Sequence, residues 1–74
     1  MIKINDFEGN YDSFDFDKTK ILDDTIDKTL TIFVVLINKN FRYGFNLEIE
    51  YKETWEDADL ETLIQNKLNT YATN

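Results

Sequence analysis

The side chains of this sequence that could do chemistry are almost all carboxylates. Asp and Glu account for 15 of the 74 residues, whereas His and Cys are absent and Ser13 is the lone serine. Without Cys or His the chain has no thiolate or imidazole for zinc binding, nucleophilic attack or proton transfer near neutral pH. What remains is carboxylate chemistry: binding a hard cation, acting as a paired acid and base, or presenting negative charge.

The first candidate cation site is an N-terminal run in which oxygen-bearing residues alternate, Asp6, Glu8, Asn10 and Asp12. Calcium prefers such ligands, but the spacing departs from an EF-hand loop: Gly9 is misplaced, and no bidentate Glu follows where that loop needs one. A solvated acidic loop is the better interpretation. The sequence therefore predicts no metal and no cofactor.

A pair of carboxylates works as acid and base only in a cleft that separates their pKa values. A chain of 74 residues has little room for a cleft, and nothing in the sequence distinguishes one Asp–Glu pair from another. The two glycines, Gly9 and Gly44, do not make a phosphate-binding loop, and Ser13 lacks a nucleophile motif. The sequence thus predicts that the protein is not an enzyme.

The carboxylates form two blocks, and with the eight Lys and Arg residues they give the chain a net charge of −7. Residues 1–27 and 48–61 carry all the carboxylates, and residues 28–47 carry none. Such charge repels nucleic-acid backbones and steers a protein towards a basic partner; the alternative is simple solvation and protection of strand edges. The candidate partner-binding residues are Asp12, Asp15, Asp17, Asp23, Asp24, Glu48, Glu50, Trp55, Glu56, Asp57, Asp59 and Glu61.

Trp55, the lone Trp, allows two interpretations. It either closes the contact between sheet and helix or anchors an interface, where Trp is enriched.

The clearest element that would position these side chains is a strand at about 41–52. Every odd residue from 41 to 51 is apolar, and that period of two predicts one buried face. Upstream, the segment at about 28–37 is rich in β-branched residues, and it has apolar residues at both odd and even positions. This pattern is typical of a central strand, which is covered on both faces. Asn38 and Asn40 predict a hairpin loop between the two.

A third strand is expected at about 12–17, and an amphipathic helix at about 55–71. The helix would begin with a capping box formed by Thr54 and Asp57. Its apolar stripe recurs at steps of three and four and consists of Leu60, Leu63, Ile64, Leu68 and Tyr71. The predicted fold is α+β: a three-stranded antiparallel sheet with this C-terminal helix packed on one face, in a single domain of residues 1–74.

The N-terminal third leaves alternatives open. Ile4, Phe7, Tyr11 and Phe14 also fit the spacing of a helix, and residues 21–26 are either a loop or the start of a strand. The sheet face turned away from the helix needs a cover as well. We expect the N-terminal segment to supply it, with a second copy of the chain as the alternative.

Arg42, Tyr43, Gly44 and Phe45 resemble part of the strand on which RNA-recognition domains stack bases. Only the last three of these match the pattern of that family. We expect Tyr43 and Phe45 to belong to the apolar face beneath the helix; a nucleic-acid-binding module using residues 41–45 is the alternative.

As a whole, the chain resembles the small acidic inhibitors that bacteriophages and mobile elements encode, such as anti-CRISPR proteins and other DNA mimics. The resemblance lies in size, acidity, the lack of Cys and His, and a sheet-plus-helix build. It implies a cytoplasmic protein of a bacterial host that blocks the DNA or RNA groove of a basic protein such as a nuclease.

No apolar run reaches the length of a membrane span or a signal peptide. A small structural protein that acts as a homo-oligomer is the other candidate.

Overall fold

The computed structural model describes residues 1–51 and 59–73 of the chain. Within them lie six strands and one α-helix, so the predicted α+β class is confirmed. The elements in chain order are β1 (Ile2–Ile4), β2 (Phe7–Gly9), β3 (Ser13–Phe16), β4 (Leu22–Asp24), β5 (Thr29–Ile37), β6 (Arg42–Glu50) and α1 (Leu60–Asn69), with a 3₁₀ turn at Lys18–Lys20 between β3 and β4. The strands form one two-stranded and one four-stranded sheet, so the single three-stranded sheet predicted at about 12–17, 28–37 and 41–52 is wrong.

The sheet is built on a hairpin of β5 and β6. These strands pair antiparallel over nine residues, from Thr29 opposite Glu50 to Ile37 opposite Arg42, as the sequence predicted. The turn between them depends on Asn38, whose Oδ1 accepts hydrogen bonds from the backbone N–H groups of Asn40 (2.8 Å) and Phe41 (3.1 Å). A side chain that bonds the backbone two and three residues later fixes where the strand reverses.

The other edge of β5 is covered by two short strands instead of one. β3 pairs with residues 34–37 of β5, and β4 pairs with residues 29–31. Between them, Asp17 turns the chain into the 3₁₀ turn, because its Oδ1 accepts a hydrogen bond from the backbone N–H of Thr19 (2.9 Å). This local bond competes with strand pairing and divides the edge into two segments.

Residues 1–9 form a separate hairpin of β1 and β2, so the helical alternative for this region is wrong. A two-residue turn joins Ile4 to Phe7, and Asn5 adopts a left-handed φ of 53° there, a conformation that asparagine tolerates well. The hairpin is tied to the far end of the chain: the Lys3 N–H donates to the Tyr71 carbonyl (3.1 Å) and the Thr73 N–H to the Met1 carbonyl (2.9 Å).

The core lies on one side of the four-stranded sheet, where α1 and the β1–β2 hairpin share the same layer. Its buried residues are Ile2, Ile4, Phe7, Leu30, Ile32, Val34, Leu36, Phe45, Leu47, Ile49, Leu60, Ile64 and Leu68. The expectation that the N-terminal segment covers the opposite face is therefore wrong. Its apolar residues join the helix side, where the Phe7 ring stacks on Tyr43 at 5.1 Å between ring centres.

The helix uses the predicted apolar stripe. Leu60, Ile64 and Leu68 are buried, and Leu63 and Tyr71 are partly buried against the core. α1 begins at Leu60 with Asp59 as N-cap, whose side chain makes no capping hydrogen bond. The predicted first turn at 55–58 and its capping box lie outside the described residues.

This packing predicts different costs for two leucines in the strands β6 and β4, which lie on opposite sides of β5. Leu47→Ala, at a site with 1% exposure, should lower the free energy of unfolding by about 2–5 kcal/mol because it leaves a cavity. Leu22→Ala, at a site with 70% exposure, should change it by less than about 0.5 kcal/mol. Urea denaturation followed by circular dichroism measures both, and equal losses would contradict the one-sided core.

Candidate functional site

The candidate site is the sheet face opposite α1 and the β1–β2 hairpin, called here the open face. Its side chains follow from the strand pairings, because residues directly opposite each other point to the same side of a sheet. They belong to Ser13, Asp15, Leu22, Asp24, Thr29, Thr31, Phe33, Val35, Ile37, Arg42, Gly44, Asn46, Glu48 and Glu50. No described element packs on this side, since all the buried apolar residues of the hairpin and the helix belong to the core cluster.

The middle of the open face is apolar. Phe33 is 47% exposed, Val35 and Ile37 are half-buried, and Leu22 projects from β4 with 70% exposure. The Phe33 ring leans across the neighbouring strand onto Gly44: a Cβ built on Gly44 would lie 2.6 Å from Cζ of Phe33. Gly44 therefore allows the ring to lie against the sheet backbone, which gives this glycine a structural role.

Carboxylates surround this apolar centre. Glu50 lies opposite Thr29, which pairs on its other side with Asp24, and Glu48 lies opposite Thr31. Two strand spacings put the backbones of Asp24 and Glu50 roughly 10 Å apart. Asp15 lies towards the other end of the face, opposite Val35. The structure thus brings four of the predicted partner-binding residues onto one face.

Three of these carboxylates lack a cation in the described part of the chain. Its ion pairs join Lys3 to Glu8 (Nζ–Oε2, 3.9 Å) and Lys20 to Asp17 (Nζ–Oδ2, 4.0 Å), and neither involves the open face. Asp15, Glu48 and Glu50 are all exposed and make no such contact. Their charges face solvent without a neutralising group from the described residues.

Other predicted residues have local structural roles. Asp17 also accepts a hydrogen bond from the Thr19 hydroxyl (2.6 Å), and its bonds to Thr19 lower the pKa of its carboxyl below the usual value. Asp24 accepts the backbone N–H groups of Ile26 and Asp27 (both 3.0 Å), which shapes the turn between β4 and β5. Asp24 therefore stabilises this turn, although its side chain lies on the open face.

Asp23 points to the core side of the sheet edge, where its Oδ1 accepts a hydrogen bond from the Tyr51 hydroxyl (2.6 Å). This bond is the main cause that raises the pKa of Tyr51 to about 12; desolvation and the charges of Asp23 and Asp24 add to it. Asp23 thus fastens the end of β6 to β4.

The remaining predicted residues lie elsewhere. Asp12 is exposed and its backbone N–H donates to the Ile37 carbonyl (2.8 Å), and Asp59 and Glu61 are exposed at the start of α1, in the opposite layer. Trp55, Glu56 and Asp57 lie outside the described residues. The acidic blocks therefore do not form one surface, and the part on the open face is the one combined with exposed apolar groups.

The aromatic strand residues belong to the core side, as the sequence predicted, but Tyr43 lies against Phe7 of the β1–β2 hairpin where the prediction put the helix. Phe45 is 6% exposed and stacks on Tyr43 (5.5 Å between ring centres), which in turn stacks on Phe7. Their rings are packed against one another beneath the hairpin. This arrangement does not offer Tyr43 and Phe45 as a platform for bases.

Sequence reasoning missed Leu22, Thr29 and Thr31 as parts of the open face. The signal was present, because Thr29, Thr31 and Phe33 occupy every second position of a strand, but β4 is too short to show a period.

Residues 1–51 and 59–73 contain no group of three or more acidic side chains placed to hold a metal ion. The same residues include no helix with the length and apolarity needed to cross a membrane.

No protein-family model matches the chain, and no curated protein or solved structure matches it either. The geometry of the open face is therefore what supports a function.

The Tyr51–Asp23 hydrogen bond predicts a pH dependence at the alkaline end. The pKa of Tyr51 is raised from 10.0 to about 12. The stability that the hydrogen bond of the neutral Tyr51 hydroxyl contributes is therefore complete below pH 10 and is lost as the pH rises towards 12. The phenolate absorbance of the wild type minus that of Tyr51→Phe should show one transition near pH 12.

The variant Asp23→Ala serves as the control for this assignment. It removes the acceptor and the nearest charge, and so should bring the transition back towards pH 10. A Tyr51 transition that stays near its ordinary pH in the folded wild type would contradict the hydrogen bond.

Proposed function

We propose that this chain is a non-enzymatic binding protein whose open face binds and inhibits a basic, nucleic-acid-binding protein of a bacterial host, such as a CRISPR nuclease. The observation that carries the proposal is a set of three carboxylates, Asp15, Glu48 and Glu50, that share a face with the exposed ring of Phe33 and have no ion pair with any described residue.

The carboxylates favour a cationic partner. Glu48 and Glu50 point to the same side of β6, about 7 Å apart along the strand, and repel each other in the free protein. Lys and Arg side chains of a partner would relieve that repulsion, as they do when they bind phosphates. A groove that binds nucleic acid supplies such side chains at high density.

The apolar centre of the open face would add binding affinity that charged contacts alone do not supply. Phe33 offers a flat aromatic surface, and a guanidinium group stacks on such a ring while its donors reach neighbouring carboxylates. Apolar burial at Phe33 and Val35 would supply affinity, and the surrounding charges would select the partner and raise the rate of association. The combination fits an arginine-rich groove better than a neutral protein surface.

The same features argue against catalysis on this face. Asp15, Glu48 and Glu50 are exposed on a sheet surface, whereas paired catalytic carboxylates work in a cleft that separates their pKa values. We therefore place the protein among binding proteins.

A second candidate is a structural protein that acts as a homo-oligomer. The exposed apolar side chains of Phe33 and Leu22 favour it, since a soluble monomer gains nothing from exposing both on one face.

Charge reversal on the two layers of the molecule tests the inhibitor proposal. Glu48→Lys with Glu50→Lys alters the open face, and Asp59→Lys with Glu61→Lys alters the helix layer; each pair changes the net charge from −7 to −3. Immobilised wild-type protein and both variants would be exposed to the heparin-binding fraction of a bacterial lysate, and the retained protein eluted with duplex DNA.

We expect the wild type and the helix variant to retain a protein that DNA displaces, and the open-face variant to lose most of it. The purified partner should also bind labelled DNA less well when the wild-type chain is added. Equal retention by the two variants, or retention that DNA does not disturb, would contradict binding through this face.

A further inference from the structure

The long edge of the sheet is formed by β6, and no described residue pairs with it on the outer side. β6 pairs with β5 alone, and the β1–β2 hairpin forms its own sheet. Among the described residues, no backbone hydrogen bond other than those to β5 reaches residues 42–50.

The direction in which the peptide groups of β6 point follows from two hydrogen bonds at the ends of the β5–β6 hairpin. The Asn38 N–H donates to the Phe41 carbonyl (3.1 Å), and the Tyr51 N–H donates to the Lys28 carbonyl (2.9 Å). Because bonded and non-bonded pairs alternate in an antiparallel ladder, the odd residues of β6 bond to β5. The N–H and C=O groups of the even residues therefore point outwards along the edge: Arg42, Gly44, Asn46, Glu48 and Glu50.

The two edges of the sheet differ in how they are protected. The outer edge beyond β5 consists of strands of four and three residues, separated by a 3₁₀ turn that carries Lys18 and Lys20. Short strands, lysines and interruptions are the usual means of preventing edge-to-edge pairing. β6 has nine consecutive residues, all paired with β5 without a bulge, and no proline. It retains the features of a strand that can accept another strand.

We propose that β6 is the interface of a homodimer, in which β6 of a second copy pairs antiparallel with it about a two-fold axis at Asn46. Only this register opposes all nine residues with those of the second copy. It places Arg42 opposite Glu50 of the second copy, and Glu50 opposite Arg42 of the second copy.

The rest of the strand fits the same register. Glu48 lies opposite Gly44 of the second copy, a position without a side chain, so that no like charges face each other directly. On the core side, Tyr43 lies opposite Ile49 of the second copy and Phe45 opposite Leu47, but Phe45, Leu47 and Ile49 are already buried in their own chain and add little contact. Opposite charges at both ends, with no like charges opposite each other between them, make the strand complementary to itself, as a two-fold interface requires.

The dimer forms through the outward peptide groups of β6, whereas the inhibitor proposal uses side chains of the open face; the two proposals share Glu50, which Arg42 of the second copy would neutralise. The two-fold axis is perpendicular to the sheet, so both open faces lie on the same side of one continuous sheet. A partner that binds the open face of the dimer still meets Asp15, Glu48 and the ring of Phe33, which the pairing along β6 leaves exposed.

Sedimentation equilibrium of the purified chain from micromolar to millimolar concentration tests the proposal. A species of twice the 8.8 kDa chain mass should form as the concentration rises. Asn46→Pro should abolish it, because the variant loses an outward-pointing N–H without losing a bond to β5. Asn46→Thr keeps that N–H and should dimerise like the wild type, and circular dichroism verifies that both variants fold.

A charge swap tests the register itself and does not depend on the proline variant. Arg42→Glu alone, or Glu50→Arg alone, should weaken the dimer on the order of tenfold, because attraction at two symmetric pairs becomes repulsion. The double variant, Arg42→Glu with Glu50→Arg, restores opposite charges in every pair and should recover wild-type affinity. A chain that stays monomeric throughout, or a dimer indifferent to Asn46→Pro, would overturn the proposal, as would rescue of Arg42→Glu by Glu48→Arg instead of Glu50→Arg.

Discussion

The register between β5 and β6 is the constraint on which the rest of the structure depends. It places the buried side chains of both strands on the same side, so that Ile32 lies beside Leu47 and Val34 beside Phe45. A slip of one residue would turn every side chain of β6 to the opposite face and expose its apolar row. The Asn38 turn sets this register locally, and the core then stabilises it. Both other strands of the sheet take their positions from β5, and the open face exists because the register puts the polar row of β6 on that side.

The described segments that cover the sheet all lie on the core side, and their arrangement explains why no described segment covers the other face. The helix alone does not cover the sheet, so the β1–β2 hairpin fills the remaining area, with Phe7 stacked on Tyr43. Backbone hydrogen bonds from Lys3 and Thr73 then join the two ends of the chain within this layer. A small core gains most from concentrating its apolar residues in one layer, since dividing them between two faces would leave both incompletely buried. The described residues thus place their buried apolar side chains on one face, and the apolar side chains of the other face, such as Phe33 and Leu22, are left to solvent or to a partner.

Where a period was long enough, the sequence predicted the structure. The strict alternation over residues 41–51 and the apolar run of β5 gave two strands and their turn, and the stripe of α1 gave the helix face. The N-terminal third was not predictable in the same way, because strands of three residues contain a single repeat and fit a helix equally well. The break at Asp17 depends on one side-chain bond, which strand propensity does not reveal. For the candidate site, the sequence identified Asp15, Glu48 and Glu50, but which acids share a face follows only from the pairings of β3 and β4.

The composition of the open face argues that solvation alone does not account for it. A solvated sheet face carries polar side chains on every strand, and β6 meets this condition with Arg42, Asn46, Glu48 and Glu50. β5 does not meet it, because Phe33, Val35 and Ile37 occupy its outer row. A purely apolar partner would bury these groups but leave the carboxylates without cations, and a purely cationic one would leave Phe33 in water. A surface that combines arginine side chains with apolar area would pair the carboxylates of β6 with cations and bury the apolar side chains of β5 at the same time. Since pairing along β6 would leave this face uncovered, a dimer would present it twice, and two weak contacts to one partner would then reinforce each other.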